Sequence, residues 1–418
     1  MFKTKQLLNA VKGDKFFRQF GAQGGEPTES KRIQKVLIVT KLSRYEYEQQ
    51  RHPNLSKEQL ERHIRDRGSD FEIMMHYHNL HKKFEKKIAK SFQNAGVEVR
   101  VANRNEFRTS LDKDTIKWAD ILVPVGGDGT FLLTAGRTCP LFCRTQHKIP
   151  VIGFNSDPTR SEGHLMLPRK YSEDPDDAVK RILKGEFRWM HRTRIRTTLL
   201  GNNGHMPESV DLHNHNVSSR MEQQLTVPEA LSAELSRKYG AKMKRVLPYL
   251  ALNEVFIGET LSARVSHLQI VLNDSDQVNK TKCSGLCVCT GTGSTSWHTS
   301  INRLTPNTVS NLLAIVRKHA DLKDLKAESI ADEYNSKLVF PSDAPELCYS
   351  IREQICCGVW PIPKEFPARG FVRSIFIKSR CIDASLVIDG SIAYQFNDGA
   401  KVLFEVHPED ALLTIALD

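Results

Sequence analysis

Asp120-Ile121-Leu122-Val123-Pro124-Val125-Gly126-Gly127-Asp128-Gly129-Thr130, continued by Phe131-Leu132-Leu133, decides the fold class of this chain. The unbroken apolar run reads as a strand of a parallel sheet covered on both faces. The glycines that end it read as a turn into a helix beginning near Thr130. Pro124 has no ladder donor, which assigns it to the strand's last turn rather than its middle. Gly126, Gly127 and Gly129 let the backbone approach a ligand closely, and a following helix N-terminus favours anions. That is the chemistry of a phosphate cradle with Asp128 at its centre. A tight strand-to-helix connection whose Asp caps the helix accounts for the motif alone equally well.

Working outward, residues 35–40, 97–101 and 150–155 are further strand-like runs separated by helical patterns. Alternation of that kind predicts a parallel α/β domain over residues 31–190, with its ligand at the carboxyl ends of the strands. His76, His78 and His81 lie on a helical stretch, but His76 and His78 point about 200° apart, so no face collects all three. Beyond residue 190 the runs become short and β-type, which predicts a mainly antiparallel, β-rich second domain over residues 191–400. Within it, residues 191–197 alternate as one strand with Arg192, Arg194 and Arg196 on one side. A solvated sheet face is the plain reading of those arginines, and a phosphate or subunit contact the minority one. Residues 202–245 are polar and irregular and read as a surface insertion. Residues 401–418 end in an apolar run that should pack back on the body.

The chain has 418 residues, enough for two sizeable cores, and 60 basic against 49 acidic residues give a formal net charge of +11. No apolar run approaches the length of a membrane span, and no membrane partner is expected. The positive charge is spread thinly and suits a polyphosphate ligand; no basic stripe with interleaved aromatics points to nucleic acid. Nine cysteines without a secretory signal suggest a reducing compartment. Cys283, Cys287 and Cys289 share one face of a strand in this reading. None of the nine has zinc-finger spacing. Residues 1–30 carry Lys3, Lys5, Lys12, Lys15 and Arg18 among apolar residues, the composition of a mitochondrial transit peptide and its linker, with Arg18-Gln19-Phe20 as a processing site.

Three further constellations carry chemistry. Asn253-Glu254 interrupts an apolar run, and a buried polar pair is costly without partners. Asn can bind an adenine edge and Glu can accept from ribose hydroxyls, provided the pair sits at a strand end or bulge where both reach one ligand. Taken alone, an exposed Glu beside a locally bonded Asn is the better account. Cys289-Thr290-Gly291-Thr292-Gly293-Ser294-Thr295-Ser296-Trp297 is a strand ending in a hydroxyl-rich glycine turn with an aromatic wall, which suits a nucleotide. Ile388-Asp389-Gly390-Ser391 reads first as a type I′ hairpin turn, which taken alone carries little functional information.

The order GGDGT, Asn-Glu, TGTGST, Asp-Gly resembles the NAD kinase family, its mitochondrial branch in particular. Ser161 to Leu165, Gly185 to Trp189 and Phe396 to Gly399 support that branch. The resemblance runs from about Lys35 to the C-terminus. It implies phosphorylation of the adenosine-ribose 2′-hydroxyl of NAD by ATP and Mg²⁺ to give NADP, in a matrix-located homo-oligomer, a homodimer by preference. It implies that Gly126, Gly127, Gly129 and Thr130 cradle ATP phosphates with Asp128 as base. Asn253 and Glu254 would hold the NAD adenosine, Thr292, Gly293, Ser294 and Thr295 would line the site, and Asp389 would contribute to it. No second carboxylate is offered, so Mg²⁺ is expected on phosphate oxygens and water, with no protein metal ligand assigned. Trp297 stands where the family usually has Tyr, Ser391 where Gln usually follows Asp-Gly, and Ser284 where an Asp commonly precedes the glycine of the TGTGST strand. The Ser284 departure leads one to expect no carboxylate near the nicotinamide, and so weaker discrimination against NADH. Lipid kinases of the diacylglycerol and sphingosine type share GGDGT but lack the pairing of Asn-Glu with TGTGST. A catalytically silent NAD(P)-binding sensor would be expected to lose Asp128.

Overall fold

The computed structural model describes residues 33–109, 113–138, 148–203, 206–213, 216–217, 226–320, 325–357 and 366–418. The basic N-terminal segment and its processing site lie outside these residues. Strands β1 (Lys35–Thr40), β2 (Glu98–Asn103), β3 (Ile121–Gly126) and β4 (Phe154–Asn155) form a parallel sheet of order β2-β1-β3-β4. Helices α1 (Arg44–Arg51), α2 (Lys57–Asp66) and α3 (Phe71–Asn94) connect β1 to β2, and α4 (Arg104–Thr109) and α5 (Lys113–Trp118) connect β2 to β3. Ser43 and Ser56 open α1 and α2 with complete capping boxes to Glu46 and Gln59, and the Asp70 side chain caps α3. Helix α6 (Asp128–Gly136) follows β3, and α7 (Arg169–Glu173) and α8 (Pro175–Lys184) follow β4.

Both faces of the sheet are covered, which is why β3 reads as an unbroken apolar run. Val36, Ile38, Val123 and Val125 pack beneath Ile88 and Phe92 of α3 and Val179 and Ile182 of α8. Leu37, Val39 and Leu122 pack on the other face with Phe131 and Ala135 of α6. Pro124 departs from expectation by standing inside β3, opposite Val39. Alternation explains why it is tolerated. Leu122 donates to Pro150 and accepts from Ile152, and Gly126 accepts from Ser156, so even-numbered positions face β4. The β4 side has a bridge at Val151 and resumes pairing only at Phe154, leaving the ladder open where the Pro124 donor is missing.

Two antiparallel sheets complete the fold. One has seven strands and includes Ile195–Gly201, Ser266–Leu272, Ser374–Ser379 and Lys401–Val406. The other has eight and includes Glu254–Glu259, Gly285–Cys289, Leu347–Arg352 and Ala384–Ile388. Their inner faces share a core containing Ile257, Leu268, Val288, Leu386, Val402 and Phe404. Strand Leu412–Ala416 returns to pair with Arg188–Arg192, and Ile415 and Leu417 are buried against the parallel sheet.

Three sequence expectations change here. Residues 191–197 are not one strand: pairing stops at Arg192 and resumes at Ile195. The arginines therefore do not form a solvated face, and Arg194 is 2% exposed. The stretch 202–245 is more than irregular cover, since Ser209–Asp211 joins the eight-stranded sheet and Met243–Val246 the seven-stranded one. Cys283 ends a separate strand, Asn279–Cys283, while Cys287 and Cys289 of the next strand pack with Cys348.

Candidate active site

At the carboxyl end of β3, an added Cβ on Gly126 would lie 2.4 Å from Thr130 Oγ1, so any larger residue would have to displace the Thr130 side chain in the first turn of α6. Gly127 is the N-cap and the helix begins at Asp128, two positions earlier than expected. Asp128 does not cap its own helix. Its carboxylate accepts from the backbone N–H of His164 at 3.1 Å and of Leu165 at 3.0 Å. The donor segment is held in turn by buried Asn155, whose Nδ2 donates to the Ser161 carbonyl at 2.9 Å. Gly163, at φ +68°, passes so close that a Cβ would meet Asn155 Nδ2 at 2.6 Å. Gly129 is exposed, and a Cβ there would meet nothing within 4 Å. Packing within the chain does not demand that glycine.

Asn253 and Glu254 stand at a strand end, where neighbouring side chains can serve one ligand: Glu254 is the first residue of Glu254–Glu259. Asp389 fixes that end. It lies in a turn with φ +45°, followed by Gly390 at +62°, the type I′ pattern. Its carboxylate accepts from the backbone N–H groups of Leu252 (2.8 Å), Asn253 (2.8 Å) and Glu254 (3.1 Å). Asp389 thus holds the backbone that presents the pair, a role the hairpin reading did not contain. Burial pushes its pKa up to about 6 against those three donors. Asn253 Nδ2 donates to Ser296 Oγ at 3.1 Å, but its Oδ1 is buried without a partner among the described residues, as is Glu254 Oε2. Burial first, and the Asp389 charge second, push Glu254 up to about 8. Two adjacent orphaned acceptors are costly unless a ligand brings donors, and an adenine amino group and ribose hydroxyls are such donors.

The glycine turn closes directly on this pair. Strand Gly285–Cys289 runs into a 3₁₀ turn, Thr292–Thr295, and then helix Trp297–Asn302. Thr290 Oγ1 donates to the Leu252 carbonyl at 2.5 Å, and a Cβ on Gly293 would lie 2.1 Å from the Asn253 carbonyl oxygen. Ser294 is fully buried, donating to the Gly291 carbonyl at 2.6 Å and accepting from Phe340 N–H at 3.2 Å. Thr295 Oγ1 donates weakly to the Thr292 carbonyl at 3.4 Å. The expected array of ligand-facing hydroxyls is thus partly turned inward, and Thr292 Oγ1 instead accepts from Arg192 Nη1 at 3.3 Å. Trp297, 37% exposed, stacks on Phe256 with ring centroids 4.1 Å apart, giving the aromatic wall. Leu252 packs in one cluster with Phe131 and Ala135, which ties the Asn253-Glu254 end to α6 and the Asp128 loop.

Other candidates resolve differently. His78 bonds Ser43 Oγ at 2.7 Å and buried His81 bonds Thr40 Oγ1 at 2.8 Å, two separate hydroxyls, one just beyond β1 and one on its last residue. Burial, and then the Lys41 charge, push His81 down to about 4. Ser284 donates to Glu353 Oε2 at 2.6 Å, so a carboxylate does stand at that position, supplied by another strand's end. The charge argument for weak discrimination against NADH loses its premise. Sequence reasoning missed the backbone donors of His164 and Leu165, which have no side-chain signature, and the individual environment of Arg192.

No family model matches the chain. It is 38% identical over 405 residues to NAD kinase 2, mitochondrial, of Rattus norvegicus, covering 95% of this chain and 91% of that protein. With the protein of that name from Homo sapiens it shares 37% over 408 residues, covering 96% and 88%. Its fold is similar to that of yeast NADH kinase, solved as a complex with NADH, with a TM-score of 0.53 at 13% identity across 93% of this chain and 85% of that one. Identity at that level over nearly the whole of both curated relatives, on a fold with the same pairing of a parallel sheet and antiparallel sheets, means that the chain belongs to the NAD kinase family.

Proposed function

We propose that this protein transfers the γ-phosphoryl group of ATP to the adenosine-ribose 2′-hydroxyl of NAD, giving NADP. The observation that carries the reading is the pair of buried, partnerless acceptors Asn253 Oδ1 and Glu254 Oε2 on a strand end held by Asp389. Asn253 accepts from the adenine amino group and Glu254 from ribose hydroxyls, which fixes the acceptor. Gly126, Gly127 and Gly129 with the α6 N-terminus receive the phosphates. Each Asp128 oxygen keeps a lone pair beyond its bond to His164 or Leu165, so the carboxylate can orient the hydroxyl and take its proton late. Phosphoryl transfer through a loose transition state asks mainly for positioning and charge neutralisation. Mg²⁺ would be held on phosphate oxygens and water, with no protein ligand assigned. When bound, the ion neutralises developing phosphate charge. Incubation with ATP, Mg²⁺ and NAD should form NADP, while diacylglycerol and sphingosine remain unphosphorylated; lipid phosphorylation without NADP would reverse the assignment.

The perturbed Glu254 gives a prediction of its own. Ribose hydroxyls favour the carboxylate, so NAD binding near pH 7 should release close to a full proton. Calorimetry in buffers of different ionisation enthalpy measures it, and Glu254→Gln should abolish it; equal release by both proteins contradicts the assignment. Between its ordinary value of 4.5 and about 8, the folded protein holds a proton that the unfolded chain has lost. Glu254 therefore lowers stability as pH rises through that window, and Glu254→Gln should flatten the slope.

The mitochondrial name of the relatives and the composition of residues 1–30 support a matrix location. A reporter carrying residues 1–25 should enter mitochondria, and a diffuse cytosolic signal would refute this. A homodimer is the assembly proposed from the resemblance; light scattering at the monomer mass would remove it.

A further inference from the structure

Arg192, Arg194 and Arg196 alternate in sequence but differ in the company they keep. Arg194 donates to the Asp410 carbonyl at 2.5 Å and to Thr138 Oγ1 at 3.3 Å. Arg196 pairs with Asp410 at 2.6 Å and Glu409 at 2.9 Å. These two hold the C-terminal turn against the sheets. Arg192 has no carboxylate within ion-pair distance among the described residues. Among the described residues its one side-chain bond is to Thr292 Oγ1 in the glycine turn at 3.3 Å, and its buried Nε has no partner there. Asp128 is the charge that partly offsets the burial of this guanidinium. Arg192 also lines a small cavity together with Leu165, whose N–H bonds Asp128.

Arg192 is only partly exposed, and a guanidinium with a buried, idle Nε donor is unfavourable unless an anion joins it; its planar fork matches phosphate oxygens. Arg192 ends its strand between the Asp128 loop and the Thr292 turn, where the donor phosphates meet the acceptor ribose in the reading above. We propose that Arg192 is a further catalytic residue, binding the transferring phosphoryl group and neutralising its equatorial oxygens while Thr292 steadies the guanidinium. The proposal rests on the phosphoryl-transfer reading and adds to it the cation that the protein itself supplies.

Its test separates the two. The affinities of ADP and of a non-hydrolysable ATP analogue are measured by calorimetry alongside NADP formation. Wild type should prefer the analogue, and Arg192→Gln should bring the two affinities together while lowering kcat about 10²- to 10³-fold, the range for removing one transition-state donor. Arg192→Lys, which keeps charge but not the fork, should retain most of the preference and regain part of kcat. An unchanged preference in a folded Arg192→Gln overturns the proposal even if kcat falls, because that pattern belongs to a residue that only braces Asp128 or Thr292. If Arg192→Gln does not fold, Arg192→Lys decides: a kcat near wild type, or a lower kcat with an unchanged preference for the analogue, overturns the proposal, and a loss of about tenfold in kcat together with a narrowed preference supports it. Absence of NADP formation by wild type would instead refute the broader reading, whatever the affinity ratio.

Discussion

Asp128→Asn should keep the fold and bind both nucleotides, yet turn over more slowly by a factor of about 10² to 10⁴. The substituted amide still offers one oxygen to the N–H groups of His164 and Leu165, but it sets an NH₂ against the second donor and cannot take a proton from the ribose hydroxyl. Part of any loss could come from displacement of the 161–165 segment, so binding must be read beside kcat. Loss of kcat with both affinities within a few-fold of wild type locates the effect in the chemical step. A kcat near wild type would remove Asp128 from it.

Gly293→Ala should be among the most damaging small substitutions in the site. Its Cβ would meet the Asn253 carbonyl oxygen at 2.1 Å and the carbonyl carbon at 2.5 Å, and backbone cannot step aside as a flexible side chain does. Overpacking of this kind costs on the order of 3 kcal/mol. Relief would come from separating the glycine turn from the Asn253-Glu254 strand end, which breaks the Thr290 bond to Leu252 and misaligns both orphaned acceptors. Denaturation should show the stability loss, and the KM for NAD should rise well beyond that for ATP. Wild-type stability with equal KM values would mean that this close approach does not shape the acceptor site.

The parallel sheet was legible because burial on both faces leaves a plain mark, an apolar run ending in glycines, and β3 carries it. The Asn253-Glu254 pair was legible as a contradiction, two polar residues inside an apolar run, which the strand end resolves. Asp389 was not legible in its role. An Asp-Gly turn looks the same whether its carboxylate meets solvent or folds back on the chain 135 residues earlier at Glu254. Nor could alternation distinguish Arg192 from Arg194 and Arg196, since their partners, Asp410 and Glu409, lie more than 200 residues away. Ser284 misled because a side chain absent from one strand is replaced by Glu353 from the end of its neighbour. Pro124 misled because its tolerance depends on a gap in the adjacent β4 ladder.

The central claim is that the Asp128 loop and the Asn253-Glu254 strand end together present one ribose hydroxyl to one phosphoryl group. Phosphorus NMR of the product made from NAD and ATP tests it most directly. The account predicts a single new phosphomonoester resonance coupled to the 2′ proton of the adenosine ribose; a phosphate on the 3′ position, on the nicotinamide ribose, or on both riboses would contradict it.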